Sequence, residues 1–266
     1  MHSHDLISVS VGEIRPNGQG NLSIILQTAA GEILPAYSAG AHIDIIIPGV
    51  GSRQYSLCGT PDRSNTYEIC VRLTDTSTGG SRYLHQQLKA GDRLAISPPR
   101  NHFPLPQAGR YLLFAGGIGI TPLLAMAEAI AARKGALELH YYVASSRQTA
   151  FSPRLNQLTA NGTVAIHCSE EGASLRQRVP ECLTVPHPDT AVIACGPEVL
   201  FRDCGRSWRN IAGRRRSSYS SVLLPRRKII LRRKMRFILS WPPAGSACRW
   251  PRIKPLLRYY STPGWR

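Results

Sequence analysis

The feature that most constrains the fold is a glycine-rich turn between a short apolar run and a helix-like stretch. Tyr111–Ala115 has the composition of a buried strand, and Thr121–Lys134 that of a helix with Thr121 as N-cap and Pro122 at its first position. Glycines at such a turn leave room for the pyrophosphate of a dinucleotide, although Pro122 replaces the last glycine of the G-x-G-x-x-G pattern. The turn predicts six nucleotide-contacting residues, unless it is a tight turn that binds no ligand. They are Gly116, Gly117, Gly119, Ile120, Thr121 and Pro122.

Strand-like and helix-like segments alternate between residues 107 and 200. Further apolar runs at Leu137–Ala144, Thr163–Cys168 and Ala191–Cys195 predict an α/β domain with a parallel sheet and crossover helices. The last run leads into Cys195-Gly196-Pro197, at the strand end where such sheets bind ligands. These three residues are therefore expected near a nicotinamide, although a lone cysteine in a strand is more often a small buried apolar residue.

Residues 1–106 have a different pattern, in which short apolar runs are separated by Gly, Pro and Asp. Such runs predict antiparallel strands in a small β-barrel of the six-stranded type. Four of them are Asn21–Thr28, His42–Ile47, Tyr67–Leu73 and Arg93–Ser97. One helix is expected at Ser81–Leu88, and a break near Pro104–Gly109 separates this domain from the second.

Two segments of the predicted barrel carry groups suited to a phosphate and a flat aromatic ring. In Arg53-Gln54-Tyr55-Ser56-Leu57 the guanidinium can pair with a phosphate, the phenol can pack on a ring, and the hydroxyl can bond to a ring edge. In the second segment, Val71-Arg72 precedes Gly79-Gly80-Ser81, where backbone N–H groups at a helix start can approach a phosphate. The alternatives are an ordinary exposed strand and a Gly-Gly turn with Ser81 as a helix cap.

The order and spacing of these segments resemble the ferredoxin reductase superfamily. They are most like the branch that contains phthalate dioxygenase reductase, vanillate demethylase reductase and carnitine monooxygenase reductase. The resemblance covers about residues 6–200. Further matches to that branch are His85, Leu88, Gly91-Asp92, Pro98-Pro99-Arg100-Asn101, Phe103, His140-Tyr141 and Ala150-Phe151.

The resemblance implies a barrel that holds FMN, with FAD less expected, and an α/β domain that binds NADH or NADPH. It places Thr121 near the flavin and Cys195 at the hydride-transfer site, as the catalytic residues. It further implies a monomeric reductase that passes single electrons to a terminal Rieske-type oxygenase. The residues that it places around the flavin are Arg53, Tyr55, Ser56, Arg72, Gly80 and Ser81.

Residues 201–266 depart from the family and from the rest of the chain. Residues 1–200 contain 15 Lys+Arg and 15 Asp+Glu, whereas residues 201–266 contain 18 Lys+Arg and one acid, so they carry the whole net charge of +17. Cys204 and Cys248 cannot supply the four thiolates of the plant-type 2Fe–2S domain that ends these reductases, so no iron–sulfur cluster is expected. A reading frame that shifts near residue 200 would explain this basic tail as aberrant or disordered, and the sheet would then lose its last strand and have an unpaired edge.

Two other functions remain open. A free-standing flavin reductase of the same superfamily needs no ferredoxin domain. The basic clusters and tryptophans of the tail also fit a nucleic-acid-binding protein, whereas the reductase interpretation expects no specific nucleic acid.

The remaining sequence features predict neither a metal site nor a membrane segment. No two of the seven cysteines lie within four residues of each other, and four histidines, His42, His85, His102 and His140, have no partner at ligand spacing. No apolar run approaches the roughly 20 residues that span a bilayer, and no signal-peptide core follows Met1. The expected location is therefore the cytoplasm, with no membrane partner.

Overall fold

The computed structural model describes residues 6–28, 32–59, 65–175, 180, 182, 189–197 and 200, together with the backbone of 235–240. The described residues form an antiparallel sheet of six strands and a mainly parallel sheet of five. The predicted combination of a six-stranded barrel and an α/β domain is therefore confirmed. Apart from 235–240, the predicted basic tail lies outside the described residues.

The first domain is a barrel whose interior is filled by aliphatic side chains. Its elements are β1 (Ile7–Pro16), β2 (Asn21–Gln27), β3 (His42–Ile47), β4 (Gly51–Ser56), β5 (Thr66–Arg72), α1 (Gly80–Gln86) and β6 (Arg93–Ile96). The strand order is β4-β3-β6-β1-β2-β5, and a bridge between Leu57 and Ile69 closes the sheet by linking the end of β4 to β5. Alternate residues such as Ile43 and Ile45 point inward, and Leu84 of α1 plugs the same core.

The second domain has four parallel strands, with helices that follow the strands along the chain. Its elements are β7 (Arg110–Gly116), α2 (Ile120–Ala132), β8 (Ala136–Val143), α3 (Ser152–Leu158), β9 (Thr163–Cys168), β10 (Thr190–Gly196) and β11 (Met235–Ser240). The strand order is β11-β10-β7-β8-β9. Leu113 and Leu139 pack with α2 on one face, while Leu112 and Phe114 form a smaller cluster on the other. The last strand that a shifted frame was expected to remove is present, because β11 pairs antiparallel with β10 from residue 191 to 196.

The predicted caps of two helices are also wrong. Gly119 occupies the N-cap position of α2, and the Thr121 hydroxyl donates instead to the carbonyl of Ile118 at 3.0 Å. Gly79 occupies the N-cap position of α1, so Ser81 lies within the first turn. In both cases a glycine occupies the N-cap position, so no side chain at that position caps the helix.

The turn between β1 and β2 joins the barrel to the second domain. The side-chain oxygen of Asn17 accepts a hydrogen bond from the backbone N–H of Phe151 at 2.6 Å, and the N–H of Gln19 donates to the Arg147 carbonyl at 2.7 Å. Gly18 has a φ of +77°, and a Cβ there would lie 2.6 Å from the carbonyl oxygen of Thr149. This close backbone contact fixes the segment between β8 and α3 against the barrel.

Candidate functional site

The first half of the predicted site lies where β4 meets the start of α1. Arg53 and Tyr55 are two residues apart and share one face of β4, because side chains of a strand alternate between faces. A Cβ on Gly80 would lie 2.8 Å from Arg53 Cγ and 3.3 Å from the Tyr55 hydroxyl oxygen. The structure thus brings together the two barrel segments that were singled out in the sequence.

The turn before α1 holds the guanidinium of Arg53 in place. Its Nη2 donates to the carbonyl and the hydroxyl oxygen of Thr78, at 3.3 and 3.2 Å, and its Nη1 donates to the Ser52 carbonyl at 2.8 Å. These bonds use three of the five N–H groups of the Arg53 guanidinium, so the other two can still donate to an anion. Gly79 has a φ of +103°, a conformation that favours glycine, and this turn brings Thr78 within reach.

The residues beside Arg53 differ in what they can offer to a ligand. Burial raises the pKa of Tyr55 to about 12, against a smaller opposing effect of Arg53, so the hydroxyl stays protonated near neutral pH and can donate a hydrogen bond. Ser56 is half-buried, whereas Leu57 is fully buried and its N–H donates to the Ala41 carbonyl at 2.9 Å. Leu57 therefore serves the barrel core rather than a ligand surface.

The second half of the site is the glycine-rich loop packed against the end of β10. A Cβ on Gly119 would lie 2.1 Å from the carbonyl oxygen of Cys195, and a Cβ on Gly196 would lie 2.9 Å from Gly116 Cα. A Cβ on Gly116 would also lie 2.7 Å from Pro197 Cδ. Two segments singled out independently in the sequence thus form one unit at the carboxyl edge of the parallel sheet.

Arg72 connects the two halves of the site. It ends β5 and is exposed, and a Cβ on Gly117, whose φ is +53°, would lie 2.9 Å from its Nη1. The preceding residue, Val71, is buried, and its carbonyl lies 2.9 Å from Nε2 of His85, which ties α1 to β5. The guanidinium of Arg72 therefore stands between the barrel and the nucleotide loop.

The predicted site residues fall into two groups by exposure. Ten have accessible surface and could touch a ligand directly, namely Arg53, Tyr55, Ser56, Arg72, Gly79, Ser81, Gly117, Cys195, Gly196 and Pro197. Eight are buried and act through backbone position or packing, namely Leu57, Val71, Gly80, Gly116, Gly119, Ile120, Thr121 and Pro122. Ser81 Oγ also donates to Ser77 Oγ at 2.9 Å.

An ion-pair cluster that spans the two domains was not predictable from any sequence motif. Arg154 of α3 donates to Glu128 of α2 at 2.6 and 2.7 Å, and to Glu68 of β5 at 3.0 Å. It also donates to the carbonyl of Cys58 at 2.6 Å. Burial alone would lower the pKa of Arg154, but the bonds to Glu128 and the charges of both glutamates outweigh it and raise that pKa. The cluster therefore holds a permanent cation between two carboxylates of different domains.

A closed antiparallel barrel followed by a parallel sheet, with basic and glycine-rich segments facing each other, is the fold of the ferredoxin reductase class. The structure of phthalate dioxygenase reductase, described as a modular structure for electron transfer from pyridine nucleotides to [2Fe-2S], matches with a TM-score of 0.71. The sequences are 28% identical, and the match covers 77% of this chain and 65% of that one. No protein-family model matches the chain.

Sequence relatives place the chain more narrowly. It is 42% identical over 193 residues to vanillate O-demethylase oxidoreductase of Pseudomonas putida, which covers 72% of this chain and 60% of the relative. It is 37% identical over 206 residues to the carnitine monooxygenase reductase subunit of Escherichia coli K12, which covers 76% of this chain and 63% of the relative. The chain belongs to the ferredoxin–NADP reductase superfamily, and the resemblance predicted from its motifs is confirmed.

Two further findings concern the extent of the match to these relatives and the helices of the described residues. The chain spans about 60% of the length of the curated relatives that it matches. Within the described residues, no helix has both the length and the apolar character needed to cross a bilayer.

Proposed function

We propose that this chain is an NAD(P)H-dependent flavoprotein reductase that delivers electrons to a Rieske-type oxygenase or demethylase. The observation that carries the proposal is the meeting of Arg53, Tyr55 and Gly80 on the barrel, with Arg72 reaching from β5 to the Gly117 loop. Basic, aromatic and glycine residues thus converge at the carboxyl edge of a parallel sheet, where such sheets bind nucleotides. The names of the two relatives, a demethylase oxidoreductase and a monooxygenase reductase subunit, support an oxygenase or demethylase as the electron acceptor.

The residues present fit a flavin mononucleotide. Arg53 and Arg72 can pair with its phosphate, and the bonds from Arg53 to Thr78 already hold one guanidinium in place. Gly79 and Gly80 lack side chains, so their backbone can lie next to the phosphate. A bound flavin would supply hydride acceptance from the nicotinamide and stepwise release of electrons. FMN rather than FAD is proposed because the family resemblance implies it.

Each remaining residue has a positional task in this proposal. The protonated hydroxyl of Tyr55 donates to the ligand, and its ring provides an apolar surface at the flavin edge. Cys195 is half-buried near the end of β10, where it packs against the core cluster that includes α2, and we assign it to the nicotinamide side of the site. Thr121 is buried and holds the carbonyl of Ile118, so it is a positioning residue for the loop. No acidic residue stands after β8 to grip a ribose hydroxyl, and NADH is proposed as the family default.

The function is tested by purifying the chain in the presence of FMN and measuring flavin content and NADH oxidation with ferricyanide as acceptor. We expect close to one flavin per chain and oxidation that depends on it. A colourless protein that gains no NADH oxidation on addition of FMN or FAD would contradict the proposal. Reduction of free flavin, without transfer to a purified oxygenase, would instead support a free-standing flavin reductase.

Replacing Arg53 by alanine is expected to weaken FMN binding by roughly tenfold to a hundredfold, because hydrogen bonds to charged groups contribute about 1.5–3 kcal/mol each. Binding is measured by quenching of flavin fluorescence on titration. Arg93, an exposed arginine at the start of β6, provides the matched control, and Arg93→Ala should leave the affinity unchanged. Equal affinities of the two variants would show that Arg53 does not contact the phosphate.

The oligomeric state, the cellular location and the nature of the tail are also proposals. We propose a monomer in the cytoplasm, and an aberrant basic tail that begins near residue 200. Translating the gene in its other two frames beyond that codon tests the tail, because a C-x₄-C-x₂-C run should then appear. Its absence from both frames would contradict a shifted frame.

Salt-dependent binding of the full chain to DNA would favour the nucleic-acid alternative.

A further inference from the structure

A cluster of possible metal ligands lies on the sheet face opposite α2, away from the proposed redox site. Glu138 and His140 are two residues apart on β8, so they project from the same face. Glu138 Oε1 lies 2.9 Å from His140 Nε2, and the thiol sulfur of Cys182 lies 3.3 Å from that nitrogen. One ligand atom from each residue lies within 4.8 Å of the other two. The expectation that His140 has no partner is therefore wrong.

We propose that Glu138, His140 and Cys182 form a binding site for a borderline-soft divalent metal ion such as Zn²⁺. In a tetrahedral zinc site, bonds of about 2.0–2.1 Å to nitrogen and oxygen and 2.3 Å to sulfur place ligand atoms roughly 3.3 to 3.6 Å apart. To match, the oxygen–nitrogen separation of 2.9 Å must open by about 0.4 Å and the nitrogen–sulfur separation of 3.3 Å by about 0.3 Å. Carboxylate, imidazole and thiolate are all ligands that zinc accepts.

Neighbouring side chains orient two of the three ligands. His140 Nδ1 lies 2.9 Å from Nε2 of His167, so an Nδ1–H donated to His167 would leave Nε2 free to bind a metal ion. The His140 ring is also stacked between Phe114 and His167, at centroid distances of 5.1 and 5.2 Å. Arg110 donates to Glu138 Oε2 at 2.8 Å, which turns Oε1 toward the other two ligands.

The charges of the cluster balance a divalent cation. One carboxylate and one thiolate neutralise Zn²⁺, and the proton of the Cys182 thiol leaves to solvent as the Zn–S bond forms. Arg110 keeps its separate pairing with the other oxygen of Glu138. Three protein ligands leave the fourth position to water, and the side chain of Glu138 is 19% exposed, so the ion has a route from solvent.

The site is tested on the full chain after treatment with a chelator, by titration with Co²⁺ followed by optical spectroscopy. We expect one Co²⁺ per chain, a thiolate-to-cobalt charge-transfer band, intense visible bands typical of tetrahedral coordination, and release of one proton per ion. Zn²⁺ should then displace Co²⁺. A titration that lacks the charge-transfer band would overturn the proposal, because no cysteine would be coordinated.

Variants separate this site from adventitious binding. Cys182→Ser should remove the charge-transfer band, and His167→Phe, which keeps the stacked ring but not its nitrogen, should weaken Zn²⁺ binding by about tenfold. Two controls should bind as the parent does: Cys168→Ala, on the opposite face of the sheet, and a double variant in which His2 and His4 are glutamine. Loss of the band in the double variant, or its survival in Cys182→Ser, would place the ion elsewhere.

Discussion

Replacing Gly119 by alanine is expected to abolish reduction by NADH while the flavin stays bound. The new Cβ would lie 2.1 Å from the carbonyl oxygen of Cys195 and 2.5 Å from its carbonyl carbon. Both are backbone atoms of β10, so the glycine-rich loop must move away by about 1 Å, and errors of that size in a reactive geometry cost on the order of a hundredfold in rate. Overpacking should also lower the free energy of unfolding by about 2 kcal/mol. The flavin remains because its proposed contacts lie on the barrel.

Gly59→Ala is the matched control for this change. The nearest atoms to a Cβ at Gly59 are 3.4 Å away, which is ordinary van der Waals contact, so this variant should resemble the parent in stability and rate. Flavin content, NADH oxidation with ferricyanide and urea unfolding are measured for both variants. If Gly119→Ala retained the parent rate, the tight packing of the loop against Cys195 could not be what positions the nicotinamide.

Patterns that are local in sequence predicted most of the fold. His42–Ile47 and Thr163–Cys168 are strands with the predicted ends, because a short apolar run bounded by turn residues has few alternatives. The two halves of the site were also predictable as separate motifs, since each consists of consecutive residues. Their contact through Arg72 and Gly117 was implied only by the family resemblance, because no local pattern specifies how two domains pack.

Features that depend on distant residues were not predictable. Arg154 meets partners 26 and 86 residues away, and Cys182 meets His140 across 42 residues, so neither cluster has a local signature. The cap of α2 was mispredicted for a different reason, which lies in the conformation of the turn itself. Gly119 can adopt the turn without a capping side chain, and the hydroxyl of Thr121 bonds back to the loop instead of to the helix.

Replacing Arg154 by alanine is expected to lower the free energy of unfolding by about 2–3 kcal/mol, with a loss of NADH oxidation. The change leaves Glu68 and Glu128, from different domains, as neighbouring carboxylates without their shared cation. Removing one partner of a buried ion pair typically costs about 3–5 kcal/mol, and the 22% exposure of the Arg154 side chain reduces that figure. The same change removes the side-chain link between α3 and the barrel, leaving the contacts of the β1–β2 turn, and so loosens the approach of the nicotinamide to the flavin. Urea unfolding and the rate with ferricyanide measure the two effects.

Arg15 pairs with the same carboxylate, Glu68, as Arg154 does. It therefore serves as a control that separates the interdomain contact of Arg154 from the general effect of removing a positive charge near Glu68. Its side chain is 50% exposed, and its bond to Glu68 at 3.2 Å stays within the barrel, so Arg15→Ala should cost no more than about 1 kcal/mol and leave the rate unchanged. A double-mutant cycle with Glu68→Gln gives the coupling of each arginine to that carboxylate. Coupling should be clearly larger for Arg154, because its guanidinium also binds Glu128 and the carbonyl of Cys58 in fixed geometry. Equal coupling free energies for the two arginines would mean that the interdomain ion pair stabilises the fold no more than an exposed pair does. The orientation of the two domains would then depend on the backbone contacts of the β1–β2 turn.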